Sequence, residues 1–327
     1  MEKPLVVAVT VPFCPRRCSF CAFPAATAAE PELFALRETY LEAVVRELAT
    51  MAPDLQGHRV HALRMGGGCP TTCSAAGLAR MLKSIRELVP CTASWEVTLQ
   101  IPPGTLGVDA LATLRQAGVT RFELGTDTRS VFAWETLGRP VAMEALWTTT
   151  AILEAAGIAA FDARVWYGLP GQRERGLRET IDELLDHGAR HIRLQDIPLT
   201  PGTPFERHFV QHEAVLKLAR NDLELPSNDQ RALLAQAGAA HLATRELLAY
   251  APACFARPSD EQRFETLRAQ GCDFVELGCA GSSQVDGLRT RNITDMRRYV
   301  AHAHDPAAIV ATVEDFTLPW ARRREHL

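Results

Sequence analysis

The chain has 327 residues, and its 35 basic and 39 acidic side chains leave a net charge of −4. Hydrophobic residues make up 47% and charged residues 23%, enough for a sizeable core and inconsistent with a disordered chain. No apolar run reaches the roughly 18 residues of a membrane span, and a slightly acidic chain without a basic block suits neither nucleic acid nor an anionic membrane. At roughly 150 residues per domain, the length predicts two domains, or one barrel-sized domain with an extension. Met1-Glu2-Lys3-Pro4 runs straight into a Val-rich stretch without a signal-peptide pattern, so the expected location is cytoplasmic.

Six β-rich runs alternate with helical patterns up to about residue 200. The expected strands are Leu5–Val11, His61–Met65, Trp95–Gln100, Arg121–Gly125, Phe161–Tyr167 and His191–Ile197. The expected helices cover 31–52, 74–88, 107–117, 141–156 and 174–187. In the fourth, Ala142, Ala145, Leu146, Ile152, Leu153 and Ala156 share a face, and Gly157 follows as a stop. Such alternation predicts a parallel sheet of βα units, either a six-stranded partial barrel or an open doubly wound sheet. Pro201-Gly202-Thr203-Pro204 is a turn-rich break. Beyond it, 229–250 is expected as one Ala/Leu-rich helix, 273–280 as one more strand, and the tail from Trp320 as a solvated end.

The nine cysteines are Cys14, Cys18, Cys21, Cys69, Cys73, Cys91, Cys254, Cys272 and Cys279. In a reducing compartment they are not expected to form disulfides. The first three give C-x3-C-x2-C directly after the first strand, a spacing that can hold three corners of a cubane iron–sulfur cluster. The fourth iron then stays open for a small ligand, which is what S-adenosylmethionine (SAM) chemistry requires: chelation by the amino and carboxylate groups, one-electron cleavage, and a 5′-deoxyadenosyl radical. Phe20 would shield the cluster and pack near the nucleoside. The competing reading is a zinc site completed by Cys69 or Cys73. It is disfavoured because structural zinc ligands usually come as two C-x2–4-C pairs on knuckles rather than on a strand-to-helix loop.

These residues and several later stretches resemble the radical SAM superfamily, in the branch of oxygen-independent coproporphyrinogen III oxidases, haem chaperones and class C radical SAM methyltransferases. Val11-Pro12-Phe13-Cys14 resembles the branch's Ile-Pro-Phe-Cys opening, and Gly66-Gly67-Gly68-Cys69-Pro70 its Gly-Gly-Gly-Thr-Pro loop. Leu137-Gly138-Arg139 and Tyr167-Gly168-Leu169-Pro170-Gly171-Gln172 match outright, and Thr200–Pro204 is similar to a Glu-Pro-Gly-Thr-Pro segment. Gly278-Cys279-Ala280-Gly281, Arg291-Asn292 and Tyr299 resemble the start of its C-terminal region. The order is collinear over about residues 5 to 300. The resemblance implies an α/β fold: a partial (β/α)6 TIM-type barrel over 1–205 and a short, truncated C-terminal α/β extension over 206–327. It also implies a 4Fe–4S cluster on Cys14, Cys18 and Cys21, with SAM near Gly66, Gly67, Gly68, Gln100, Arg139, Trp166 and Leu169. Bare glycines after a strand let a ligand's amino group approach the backbone, and Arg139 could hold a carboxylate bidentately.

Departures from the branch fall on SAM-facing positions. Ala8-Val9-Thr10 replaces Tyr-x-His, Gln100 replaces a Glu, Asp127 a Gln, Arg164 an Asp, and Ser282 a His. Asp127 and Arg164 are expected to form a compensating pair on neighbouring strands at the SAM site. The changes point away from coproporphyrinogen III dehydrogenase and from a haem-binding chaperone, which remain the alternatives. The expected function is a radical SAM enzyme modifying a small-molecule metabolite by methyl transfer, decarboxylation or a related step. It would use one SAM, with a second if it transfers methyl, and an electron donor such as flavodoxin or ferredoxin.

Overall fold

A computed structural model describes residues 2–128, 130–138, 143–158, 160–211 and 224–315. Six parallel strands form in the expected order: β1 (Lys3–Val11), β2 (His58–Gly67), β3 (Cys91–Ile101), β4 (Arg121–Asp127), β5 (Phe161–Tyr167) and β6 (Ala189–Asp196). Each is hydrogen-bonded to the next. Helices α1 (Arg37–Met51), α2 (Ala75–Leu88), α3 (Val108–Gln116), α4 (Met143–Ala155) and α5 (Glu174–Asp186) follow the first five strands. This is the partial (β/α)6 barrel.

Period-2 alternation sorts the strand residues. Leu5, Val7, Val9, Val11, Leu63, Met65, Val97, Leu99, Phe122, Leu124, Ala163, Val165, Ile192 and Leu194 join the main core, whose helix side includes Tyr40, Val44, Leu48, Leu78, Met81 and Ile85. The alternate residues on β2 to β6 are mostly polar: Arg64, Thr98, Gln100, Arg121, Glu123, Asp162, Arg164, His191 and Arg193. The barrel interior is therefore held by charge pairs rather than by apolar layers.

The segments after residue 206 extend the sheet at both edges. Helix α6 (Asn228–Thr244) leads to an antiparallel hairpin, β7 (Leu248–Ala251) and β8 (Cys254–Ala256), which pairs with β6. Helix α7 (Arg263–Ala269) precedes β9 (Asp273–Leu277), which lies parallel to β1 on its free edge. Strands β10 (Ser282–Val285), β11 (Leu288–Asn292) and β12 (Val310–Asp315) continue antiparallel from there, and α8 (Met296–His302) lies between the last two.

Three sequence expectations need correction. The helix expected over 229–250 is capped by Ser227 and Gln230 but stops at Thr244. Glu246 turns left-handed at φ 64, Leu247 N–H returns to Leu242 O, and 248–251 enters the sheet. Strand pairing there overrides Ala/Leu helix propensity. The helix expected over 31–52 is interrupted at Ala35–Leu36, between Pro31–Phe34 and α1. The strand expected over 273–280 ends at Leu277, because Gly278 (φ 108) and Ala280 (φ 59) turn the chain. Residues 139–142, expected to include the start of the fourth helix, and the tail from Trp320 lie outside the described residues.

Charge closes the bottom of the barrel. Arg121 grips both oxygens of Asp162 at 2.7 and 3.0 Å and reaches Glu96 and the carbonyls of Asp260 and Glu261. Gln262 adds a 2.8 Å bond to Asp162. Tyr250 meets His191 Nε2 at 2.9 Å, and burial holds His191 down to about 4, so the ring is neutral. The loop into α7 thus seals the barrel on β3, β4 and β5.

A second buried network anchors the extension to α1. Glu47 accepts from the Gly278 N–H at 2.8 Å, from Asn292 Nδ2 at 2.5 Å and from the Tyr299 hydroxyl. Tyr40 donates to the Thr10 carbonyl at 2.8 Å and accepts from the Cys279 N–H at 2.9 Å. A Cβ on Gly278 would sit 2.3 Å from the Tyr40 hydroxyl, so only glycine fits. The Gly278–Gly281, Asn292 and Tyr299 signature is thereby explained as a structural joint.

Burial raises the Glu47 carboxyl from 4.5 to about 7 despite three donors. A carboxyl raised by folding stabilises fully below its unfolded value and loses that stabilisation as pH rises through its folded value. Its contribution should fall by about 3 kcal/mol between pH 4.5 and 7.5. Urea denaturation across this range should show that decline, and Glu47→Gln should flatten it. An unchanged slope in the variant would contradict the assignment.

Candidate functional site

Strand β1 ends at Val11, and the chain makes a two-residue parallel pair, Phe13–Cys14 against Ala26–Thr27. Cys14 ends the first of these strands, and the loop between carries Cys18 and Cys21. Arg17 clamps its far end through the carbonyls of Phe23 and Ala25 at 3.0 and 2.6 Å. Ser19 ties its middle to the end of the short helix Val131–Thr136, by N–H to Leu137 O at 3.0 Å and by Oγ to Thr136 O at 2.7 Å. Phe205 N–H bonds Ser19 O at 3.0 Å. Phe20 turns inward into a small apolar cluster with Leu137, Trp166, Leu169 and Phe205. Its ring meets Trp166 edge-on, with centroids 5.5 Å apart.

Gly66–Gly68 end β2 beside this loop, and packing explains the glycines. A Cβ on Gly68 would lie 2.5 Å from Val11 O, and one on Gly66 would lie 2.7 Å from the end of the Gln100 side-chain amide. Gly67 has φ +86. Cys69 N–H bonds Phe13 O at 2.7 Å, locking the glycine turn to the cysteine loop.

A cavity of about 470 Å³ lies between these parts. Cys14, Cys18, Cys21, Phe20, Gly66, Gly67, Gly68, Gln100, Arg164 and Trp166 all line it. Ten of the thirteen residues singled out from the sequence therefore face one space. Oriented with its amide oxygen towards Arg164, Gln100 accepts from both guanidinium nitrogens at 2.5 and 3.2 Å. The Arg164 guanidinium lies 5.4 Å from the Trp166 ring centre. Leu169 is buried and lines a neighbouring cavity of about 400 Å³ instead. There Gln172 closes the turn, bonding Trp166 O at 3.1 Å and accepting from Leu169 N–H at 3.2 Å. Arg139 and the side chain of Asp127 lie outside the described residues; the Asp127 backbone pairs with Val165.

Sequence reasoning missed several residues. Arg231 on α6 bonds Gly168 O, Ile197 O and Asp196, fixing the ends of β5 and β6. Arg64, Arg193, Phe264, Arg268, Phe274 and Glu276 share the cysteine cavity. For Arg64, Arg193 and Glu276 the only sequence signal is a charged residue on a strand, a pattern indistinguishable from a solvated edge; Phe264 and Arg268 on α7 and Phe274 on β9 carry no signal beyond ordinary amphipathic patterning. Arg64 grips both oxygens of Glu123 at 2.9 Å and reaches Glu265 at 3.2 Å. Arg193 also pairs with Glu265. Burial opposes ionisation of Glu123, but Arg64, Arg193 and Arg164 outweigh it and hold the carboxyl down to about 2.

The residues present fit a thiolate-held cluster with a polar ligand beside it. Three thiols open on one cavity, a soft donor set suited to iron–sulfur ligation. The buried indole N–H of Trp166 meets no acceptor among the described residues, leaving a donor for a bound molecule. Cys69 approaches Cys14, Sγ to Sγ, at 3.6 Å.

A profile of the radical SAM superfamily matches residues 8–184. That is more than half of the chain, and the protein belongs to this superfamily. Its cofactors are accordingly a 4Fe–4S cluster and SAM. The chain is 23% identical over 303 residues to heme chaperone HemW of Lactococcus lactis subsp. lactis, covering 93% of this chain and 76% of that protein. It is 23% identical over 310 residues to oxygen-independent coproporphyrinogen III oxidase of Escherichia coli, with coverage of 91% and 65%. The solved structure of coproporphyrinogen III oxidase (HemN) from Escherichia coli superposes with a TM-score of 0.75 at 22% identity, covering 94% of this chain and 71% of that one. This confirms the fold.

Cys69 and Cys73 are expected not to be cluster ligands. Cys73 is buried and its thiol is pushed up to about 12 by burial; Cys69 lines the cavity 3.6 Å from Cys14 and is set aside because three thiols already leave the one open iron that SAM needs. Anaerobically reconstituted Cys69→Thr should keep the full iron content. Loss of a quarter or more of the iron would make Cys69 a ligand.

Proposed function

We propose that the protein is a radical SAM enzyme acting on a small molecule, by methyl transfer, decarboxylation or a related step. Cys14, Cys18 and Cys21 would hold the cluster, with SAM in the adjoining cavity. Bound together, these groups supply one-electron cleavage of the S–C5′ bond to a 5′-deoxyadenosyl radical. The observation that carries the reading is the convergence on one cavity of about 470 Å³ of three thiols, a glycine turn and a Trp166 N–H that meets no acceptor among the described residues.

The chain's own residues would divide the work. Backbone groups of the Gly66–Gly68 turn would receive the amino group of SAM. Gln100, turned by Arg164, would reach the ribose hydroxyls, and Phe20 and Trp166 would keep water from the nucleoside. Arg164, charged at any working pH, would oppose a second cation in the cavity and favour a carboxylate. An electron donor such as flavodoxin or ferredoxin would serve the cluster, and the setting would be cytoplasmic.

A haem carrier of the HemW kind is the second reading, favoured by the similarity to proteins named heme chaperone. Against it, no histidine is among the cavity's described lining residues, although histidine is a common axial ligand of haem.

Reconstituted protein with SAM and dithionite should bind about four iron and four sulfide and release 5′-deoxyadenosine. A Cys14→Ala, Cys18→Ala, Cys21→Ala variant should do neither. Stoichiometric haem binding with no SAM cleavage would install the carrier reading, and stoichiometric zinc without labile sulfide would remove both.

A further inference from the structure

Most of the charge lining the cysteine cavity is already matched. Arg64 and Arg193 are neutralised by Glu123 and Glu265, and Arg164 lies in the field of Glu123 and bonds the Gln100 amide. Two lining residues differ. Arg268, in the last turn of α7, places its guanidinium 3.4 Å over the Phe274 ring and makes no ion pair among the described residues. Glu276, two residues along β9 from Phe274 and so on the same strand face, is held by the Thr10 hydroxyl at 3.0 Å and the Ser282 N–H at 3.0 Å. It too has no ion-pair partner among the described residues. A cation and an anion, each fixed by its own supports, thus line one cavity without meeting.

From this juxtaposition we infer that the substrate is a small amino carboxylate, with its carboxylate on Arg268 and its ammonium on Glu276. The assignment rests on the radical SAM reading and names the substrate class of that site. The planar guanidinium suits a carboxylate bidentately, and stacking on Phe274 restricts it to an orientation that presents its fork. Half-burying such a charge without a counterion is unfavourable, and an anion in the cavity relieves it. Other charges near Arg268 do not supply that anion. Glu265, one turn earlier, is committed to Arg64 and Arg193, and Glu276 is attracted at longer range. Arg289 and the Cys272 thiol also lie in its field. Burial is the leading influence on Arg268 and pulls its ionisation below the ordinary value, in keeping with a missing counterion. Phe264, buried on α7 in the same cavity, provides apolar surface for the remainder of such a molecule.

The test uses reconstituted holoprotein saturated with SAM. The twenty proteinogenic L-amino acids are screened by ligand-observed NMR, each beside its decarboxylated amine and its N-acetyl derivative. At least one amino acid should bind, with both derivatives at least tenfold weaker. Arg268→Ala should weaken the amino acid at least tenfold and Arg268→Lys less. Glu276→Gln should abolish the preference over the N-acetyl form. SAM affinity and reductive cleavage should stay within twofold in all three variants. Equal binding of acid and amine, no amino acid bound while SAM cleavage is intact, or parallel loss of SAM in Arg268→Ala would each overturn the inference. So would a second equivalent of SAM lost in that variant, because the pair would then hold SAM itself. Failure of the wild-type protein to cleave SAM would instead remove the functional reading, and this inference with it.

Discussion

Everything at the centre of this protein depends on one buried carboxylate. Glu123 has no exposed surface, yet it is ionised because Arg64 reaches it from β2 while Arg193 and Arg164 face it from β6 and β5. An isolated charge there would be untenable, and removing one partner would leave the others uncompensated. Glu265 of α7 completes the set by pairing with Arg64 and Arg193. The C-terminal extension is therefore a counterion supply for the barrel as well as a cover. Its neighbour Arg268 reaches the cavity from the same short helix, so the electrostatics that close the barrel also furnish its ligand-facing wall.

The cysteine loop follows a different principle. Arg17, Ser19 and Phe20 hold it through backbone carbonyls and an aromatic contact, none of which requires a cofactor. Geometry at the site is thus set by the fold, and a small-molecule ligand meets walls already in place. The joint between Glu47, Asn292 and Tyr299 does the corresponding work on the outside of β1.

The βα alternation and the thiol spacing were legible in the sequence because each carries its own local signature. All six barrel strands begin and end within a few residues of the bounds that the sequence pattern predicts. Phe20 is expected near SAM from its place between two cysteines, and Gly66–Gly68, Gln100, Arg164 and Trp166 from the resemblance; all of them line the cysteine cavity. Leu169 belongs instead to the packing beneath Phe20. What was illegible depends on partners distant in sequence. Leu248–Ala251 has helix-forming composition and becomes a strand only because β8 lies beside it. Arg64 and Arg268 look like ordinary charged residues until Glu123, Glu265 and Phe274 are placed next to them. Conversely, Gly278, Asn292 and Tyr299 stood out as a motif, although their contacts are with Glu47 and Tyr40.

The position of β1 in the sheet has a consequence for the chain as it is made. Strand β1 is an interior one, flanked by β2, which follows it directly in the chain, and by β9 on the other side. Leu5 pairs with Asp273, almost the whole chain away. Strands β1 to β6 can pair in the order of synthesis, but one edge of β1 stays bare, and Arg64 and Arg193 have only Glu123 between them, until residues 265–277 arrive. Such non-local closure is slow and leaves a strand edge open to other chains in the interval. A ribosome-bound or truncated chain ending before β9 would therefore display an unpaired Val-rich edge, a template for pairing with another strand.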